Sequence, residues 1–352
     1  MTWHRLAVVS EPTATASRRR FRFRPDSFLL LIIAMAIIGT LLPVHGVGVS
    51  VGTWVSRVTV GMLFFLHGTR LERQEAIDGL KHWRLHLVIL ACTYVVFPLI
   101  GIALRPLTPA LIGPDLYRGI LWICVVPATV QSAVNFTSIA RGNIAGAVVS
   151  SSLSNLIGVV ITPLLAMALM STTGLVISPS SILNVVGQVL APFLLGQLLR
   201  RWCADFVLGH PKLKYFDQAT IGIVVYLAFA DAMTQHIWSR TSWGEVLLII
   251  GIALIILGFM LWLTWHIASW LGFSRADQIA IQFCGTKKSL TSGVPMAYVI
   301  FAASSVGFVV LPLMIFHQAQ LMACSALASR YAAKDEAWHA KTGRRQETLA
   351  EK

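Results

Sequence analysis

The stretch FCGTKKSLTSGVP, Phe283 to Pro295, decides how the chain is read. It sits inside an apolar run from Ala276 to Ala302. Lys287 and Lys288 lie near its middle, with Thr286, Ser289, Thr291 and Ser292 around them. Gly285, Gly293 and Pro295 are candidate helix breaks, because glycine loosens a helix and proline removes a donor. A charge at membrane depth costs about 3 kcal/mol or more, so two adjacent lysines need a cavity, a partner or water. Broken backbone in a bilayer obeys the same restriction. Reading the stretch as a loop instead leaves flanks, Ile279 to Phe283 and Met296 to Phe301, too short to cross.

The rest of the chain agrees with a bilayer. It is 56% hydrophobic and 12% charged, with a mean hydropathy of +0.73. A soluble protein of 352 residues has too little interior to hide that apolar surface. The net charge of +13 would suggest nucleic acid in a soluble protein, but here the basic residues fall in tails and short loops. The five cysteines lie in or beside apolar runs without metal-ligand spacing, and read as core or lipid-facing thiols. SRRRFRF, Ser17 to Phe23, resembles a twin-arginine export signal or the n-region of a secretory signal. No small-residue cleavage site follows it, so it reads as a cytoplasmic anchor for the first span.

Ten spans are predicted, beginning near Ser27, Gly52, Leu85, Leu116, Ile144, Ser181, Phe216, Glu245, Ala276 and Val306. With the N-terminus inside, 22 of the 28 lysines and arginines fall on the cytoplasmic side and 4 outside, the other two being Lys287 and Lys288. That asymmetry predicts both termini inside the plasma (inner) membrane. The expected fold is all-α, ten helices in two inverted five-helix repeats. Residues 1–26 form a basic tail, 27–170 the first repeat, 171–331 the second and 332–352 a polar tail expected to be mobile.

An inverted repeat makes the fourth span the counterpart of the ninth. It reads CVVPATVQSAVNFTSIARGN, Cys124 to Asn143, with Pro127 ahead of Gln131, Ser132, Asn135, Thr137 and Ser138. A polar run after a proline fits an unwound helix; hydroxyls bonded back to their own backbone are the plain alternative. Asp231 in the seventh span lies nearer the outer face, and Asp277 caps the ninth helix. His67 reads as interfacial, and His266 and His317 as bonding between helices.

The ten spans, IARGN (Ile139 to Asn143) and GTKKSLTSGVPMA (Gly285 to Ala297) resemble the bile acid:sodium symporter superfamily. Within it they resemble the SBF-like branch related to its seventh vertebrate member. The resemblance implies a panel of spans one, two, six and seven, and a core of the other six, with spans four and nine crossing at their breaks. It implies transport of amphipathic organic anions with sodium by rocking one part on the other. Where sodium-coupled members carry a glutamate and then a glutamine in the ninth span, this chain has Phe283 and Lys287. The family's serine–asparagine pair falls on Ala133 and Val134, with Asn135 next. Ser151 matches a family threonine, while Ala147 replaces a serine. Hard oxygen ligands are thereby lost, and a lysine at the crossover can stand where the cation would.

The expected site is Gln131, Ser132, Asn135 and Thr137 with Thr286, Lys287, Lys288 and Ser289, one lysine facing the cavity. The partners are the bilayer, a small organic anion, and sodium or a proton; no cofactor, resident metal or nucleic acid is expected. Rival readings are a symporter with an altered sodium site and a non-transporting membrane regulator. A membrane enzyme lacks paired carboxylates, a metal-spaced set or a Ser/His/Asp arrangement.

Overall fold

The computed structural model describes residues 27–70, 82–108, 111–171, 186–234, 243–301 and 303–350. The arginine-rich N-terminal tail, most of the linker Glu72 to Trp83, and the start of the sixth span lie outside these residues. Everything regular in them is helical: α1 Ser27–Leu41, α2 Val47–Arg70, α3 Trp83–Ala91, α4 Phe97–Ala103, α5 Pro114–Val125, α6 Val130–Ile139 and α7 Ile144–Ser171. There follow α8 Ala191–Gly209, α9 Leu213–Thr234, α10 Trp243–Trp270, α11 Arg275–Thr286, α12 Leu290–Ile300 and α13 Ala303–Ala350. Among the described residues, five apolar helical stretches are long enough to span, and α5 with α6, bent by 59°, make a sixth if the pair is one span. The chain is a polytopic membrane protein. The broken pair α11 and α12 carries Arg275, Asp277 and both lysines, and so reads as less apolar than its position in the bundle.

Each irregularity has a residue behind it. Pro127 has no N–H, and the residue before a proline avoids helical ψ. Val126 accordingly sits at ψ 151°, and α5 ends. Pro98, one span earlier, does not break its helix: Phe97 before it stays helical at ψ −50°. A π turn, Cys92–Val96, joins α3 to α4, and the Phe97 N–H reaches back to the Cys92 carbonyl rather than to Thr93. Pro98 supplies no donor either, so the Thr93 carbonyl is left without a backbone partner.

α13 continues as helix to Ala350, across a segment whose mixed charge suggested mobility.

α2 packs on α8 and α9, and α1 on α9. The α2–α8 contact is backbone on backbone. A Cβ at Gly68 would lie 2.1 Å from the Phe193 carbonyl oxygen, and one at Gly196 2.1 Å from that of Phe65. Small residues let membrane helices approach this closely. Gln197 donates to the Gly68 carbonyl at 2.7 Å and Arg200 to that of Thr69 at 3.2 Å. The helices α5, α6, α7, α10, α11 and α13 form the other cluster of contacts.

IARGN closes the fourth span onto the ninth. Arg141 takes the left-handed conformation at φ 57°. A Cβ on Gly142 would meet Ile279 at 2.5 Å. Asn143 donates its backbone N–H to the Ala276 carbonyl and its side chain to Asp277, and accepts from the Gly146 N–H at the start of α7. Asp277 does not itself cap α11: Ser274 is the cap, accepting from the Asp277 N–H, while the carboxylate receives Asn143 and the Ser274 hydroxyl. Asn143→Ala loses a cap and an inter-span tie. We expect a loss of about 2 kcal/mol, read as a lower melting temperature in detergent.

Candidate functional site

The two breaks meet. Ser289, in the gap between α11 and α12, donates its backbone N–H to the Pro127 carbonyl at 2.8 Å. Every carbonyl from residue 124 to 128 finds a donor outside its own helix, as buried backbone requires. Val125 takes the Thr162 hydroxyl at 2.8 Å, and Ala128 the Asn155 amide at 2.7 Å. Cys124 and Val126 both take Lys288, whose Nζ is 3.2 and 3.0 Å away. The same Nζ donates to the orphan Thr93 carbonyl at 3.1 Å. Its three N–H bonds therefore close three broken-backbone carbonyls from two spans, and the Phe97 ring lies 4.0 Å behind it.

Lys288 is itself clamped. Gln320 on α13 accepts its backbone N–H and donates to its carbonyl, each at 2.8 Å, as a strand neighbour would. His317 Nδ1 lies 3.3 Å from that carbonyl and 2.8 Å from the Gln320 amide. Ser289 then starts α12, accepting from the Ser292 N–H at 3.2 Å.

The break in the ninth span is thus Lys287 to Ser289, not the glycines and proline expected. Gly285 lies within α11, and Gly293 and Pro295 lie within α12. The glycines serve close packing: a Cβ would meet Cys92 and Thr264 at 3.3 Å from Gly285, and Leu313 at 2.6 Å from Gly293. The Gly293 carbonyl also accepts Trp122 Nε1 at 3.2 Å. In the fourth span Pro127 is at the break, but the polar run after it is helical as α6 rather than unwound.

A cavity of about 450 Å³ opens beside the crossover. Its walls include Thr129, Gln131, Ser289, Thr291 and Ser292 from the two breaks and their second helices. Ser152 and Asn155 come from α7, and His67 and Arg70 from α2. No carboxylate is among its described lining residues. Arg70 reaches Asp217 on α9 as an ion pair. Both α6 and α12 begin at this cavity, directing the positive ends of their dipoles at it. No side chain caps α6 at Thr129. The Ser132 hydroxyl at that end is buried with no hydrogen-bond partner.

The expected residues scatter around this cavity. Gln131 and Ser289 line it, and Asn135 is exposed on α6 without lining it. Thr137 is buried and bonded back to the Ala133 carbonyl at 2.8 Å, and Thr286 is buried against Thr264. Neither lysine is among the lining residues; both are fully buried. The lysine on the carbonyls is Lys288, whereas the family pattern places Lys287 at the lost sodium ligand. Lys287 Nζ lies over the Phe136 ring, 3.8 Å from its centroid.

Asn155 and Gln320 were missed. Asn155 links the two breaks, accepting from Ser292 at 2.9 Å while donating to Ala128. The SSSLSN run, Ser150 to Asn155, is its only signal in an apolar helix. Asn155→Ala strands the Ala128 carbonyl and frees Ser292. It should lower the melting temperature by the equivalent of about 2 kcal/mol, against little change for Asn135→Ala.

Two broken helices crossing beside a polar cavity, within a multi-span bundle, are the build of a membrane transporter. The chain belongs to the SBF-like CPA transporter family, whose sequence profile matches residues 26–333. An uncharacterised protein of Pseudomonas aeruginosa, PA2026, is 49% identical over 318 residues, covering 89% of this chain and 95% of that one. The putative symporter YfeH of Escherichia coli K12 is 40% identical over 328 residues, covering 93% and 98%. Sodium/bile acid cotransporter 7 of Rattus norvegicus is 31% identical over 316 residues, covering 87% and 92%. The family is one of transporters, not enzymes.

Proposed function

We propose that the protein is a secondary active carrier moving a small organic anion across the plasma membrane by alternating access. The ammonium of Lys288 takes the place of a coupled sodium ion. The observation that carries this reading is the set of three carbonyls, from Thr93, Cys124 and Val126, gathered on one Nζ. Such orphan oxygens from broken helices are what a small cation would otherwise satisfy. The anion is argued from the cavity: two helix N-termini, His67 and Arg70, and no lining carboxylate.

The architecture that goes with this reading has ten spans in two inverted repeats, with both termini cytoplasmic. A panel formed by α1, α2, α8 and α9 rocks against a core formed by the rest. The cavity, between α2 on one side and α6, α7 and α12 on the other, then lies on the surface where the two parts slide.

Thermal stability in sodium chloride against choline chloride tests the central claim, since a ligand of the folded state must stabilise it. Wild type should melt at the same temperature in both salts. Lys288→Gln should melt lower and regain part of the loss in sodium alone. Stabilisation of wild type by low sodium would reject the claim. It would favour sodium symport through an altered site, the reading suggested by the name of the vertebrate relatives, sodium/bile acid cotransporter 7. Uptake of labelled carboxylates and sulfonates into proteoliposomes tests the cargo.

A further inference from the structure

Lys287 is left over from the hydrogen bonding of the crossover. Its side chain is fully buried, and no described residue accepts a hydrogen bond from its Nζ. Phe136 lies across the Nζ and packs against an apolar cluster of Ala140, Ile279, Phe283, Cys324 and Ala328, which makes the chamber on that side apolar. The titratable groups that act on it are Cys324 on α13 and Cys284 on α11. From α7, Ser151 reaches only Cys284. α6 presents Phe136, and α10 presents Leu261 and Trp265. At the far end Tyr331 of α13 donates to Gln282, and Arg275 of α11 stacks on Tyr331 and Trp265. Lys288, next in the chain, is aimed at the carbonyls. No carboxylate stands among these groups.

An ammonium held there has only a ring and two thiols to replace its water. Desolvating an ion costs more than one facing ring returns. A free amine in the same chamber carries no such cost. Solvent is nevertheless close. Phe136 is half-buried, and its neighbour Asn135 and Gln131 one turn earlier are exposed. Turning the Phe136 ring aside would uncover the Nζ on the face that carries these two polar side chains.

We propose that Lys287 carries the proton of the transport cycle, with Phe136 as the gate over it; this rests on the alternating-access reading above. The amine lone pair takes a proton from water when the chamber opens to one face. The N–H bond then breaks and the proton passes to water when the chamber opens to the other. Nothing is oxidised or reduced. The paired lysines thus divide the chemistry between them. Lys288 holds the broken backbone, and Lys287 loads and unloads.

The test uses the purified full-length chain in proteoliposomes on a solid-supported membrane. The probe is a step in proton concentration, in choline chloride, with no organic anion present. Wild type should give a transient displacement of charge that empty liposomes do not. Lys287→Met and Lys287→Gln should lose it. Phe136→Ala should speed it several-fold. Folding is checked for every variant by its melting curve. Lys287→Met removes a buried amine that has no hydrogen-bond acceptor and keeps an apolar side chain of similar length, so it is the variant expected to stay folded if Lys287→Gln does not. The proposal is overturned if wild type gives no transient, or if either folded Lys287 variant keeps it. A lysine that is merely structural would alter the melting curve and leave the transient in place. Failure of the carrier reading is visible separately, as absent anion uptake with the proton transient intact.

Discussion

Lys288→Met is expected to be among the most destabilising single substitutions in the chain, while Lys287→Met, one residue away, is expected to leave the melting temperature unchanged or raised. The two side chains are equally buried, so burial alone predicts equal effects. Partners make the difference. Removing the Lys288 ammonium strands the carbonyls of Thr93, Cys124 and Val126 in a region without other donors. A buried acceptor left unsatisfied costs about 1–3 kcal/mol. The three together put the loss at roughly 3–6 kcal/mol after partial relaxation, a large share of a typical protein's stability. Lys287→Met removes a buried amine that bonds to no acceptor and keeps most of its volume. Melting temperatures of both variants in sodium-free detergent buffer check this. Equal shifts would show that the carbonyl contacts contribute little.

Gly68→Ala and Gly196→Ala should each cost about 3 kcal/mol, near the upper end for an overpacked contact. Each new methyl group would sit 2.1 Å from a backbone carbonyl oxygen of the facing helix. Ordinary contact is about 3.5 Å, so α2 and α8 must part by about 1 Å or more. The hydrogen bonds from Gln197 and Arg200 across the same contact would lengthen with it. Gly251→Ala and Gly258→Ala are the controls. They add a methyl where nothing lies within 4 Å and should leave the melting curve unchanged or slightly raised, alanine being the better helix former.

What the sequence disclosed follows from what is local in it. Apolar runs declare membrane helices, and two lysines inside one declare a site. Pro127 announces the fourth-span break because the constraint falls on its own dihedral and its neighbour's. Gly285, Gly293 and Pro295 misled, because a glycine that permits close packing and one that permits unwinding look the same in a string. The actual break at Lys287 to Ser289 is set by Gln320, 32 residues away, and by Pro127, neither of them local. The choice between the lysines was equally hidden. Lys288 is directed by a carbonyl that a π turn before Pro98 releases, and periodicity says nothing about which oxygen a distant turn will expose. Asn155 reads as one polar residue in a serine-rich helix until the crossover is assembled around it.

The cage of carbonyls at the crossover has an occupant that cannot leave. A free ion in such a cage comes and goes, and its concentration on each side of the membrane sets how often the cage is filled. The Lys288 ammonium is fastened by a four-carbon stem to the backbone it stabilises, so the cage is filled once, during folding. Its occupancy then carries no information about the salt on either side. On the carrier reading proposed above, a sodium gradient has no exchangeable ion to act on at that point. What the protein gains is a crossover that holds together in any ionic medium, and whatever drives its cycle must enter somewhere else.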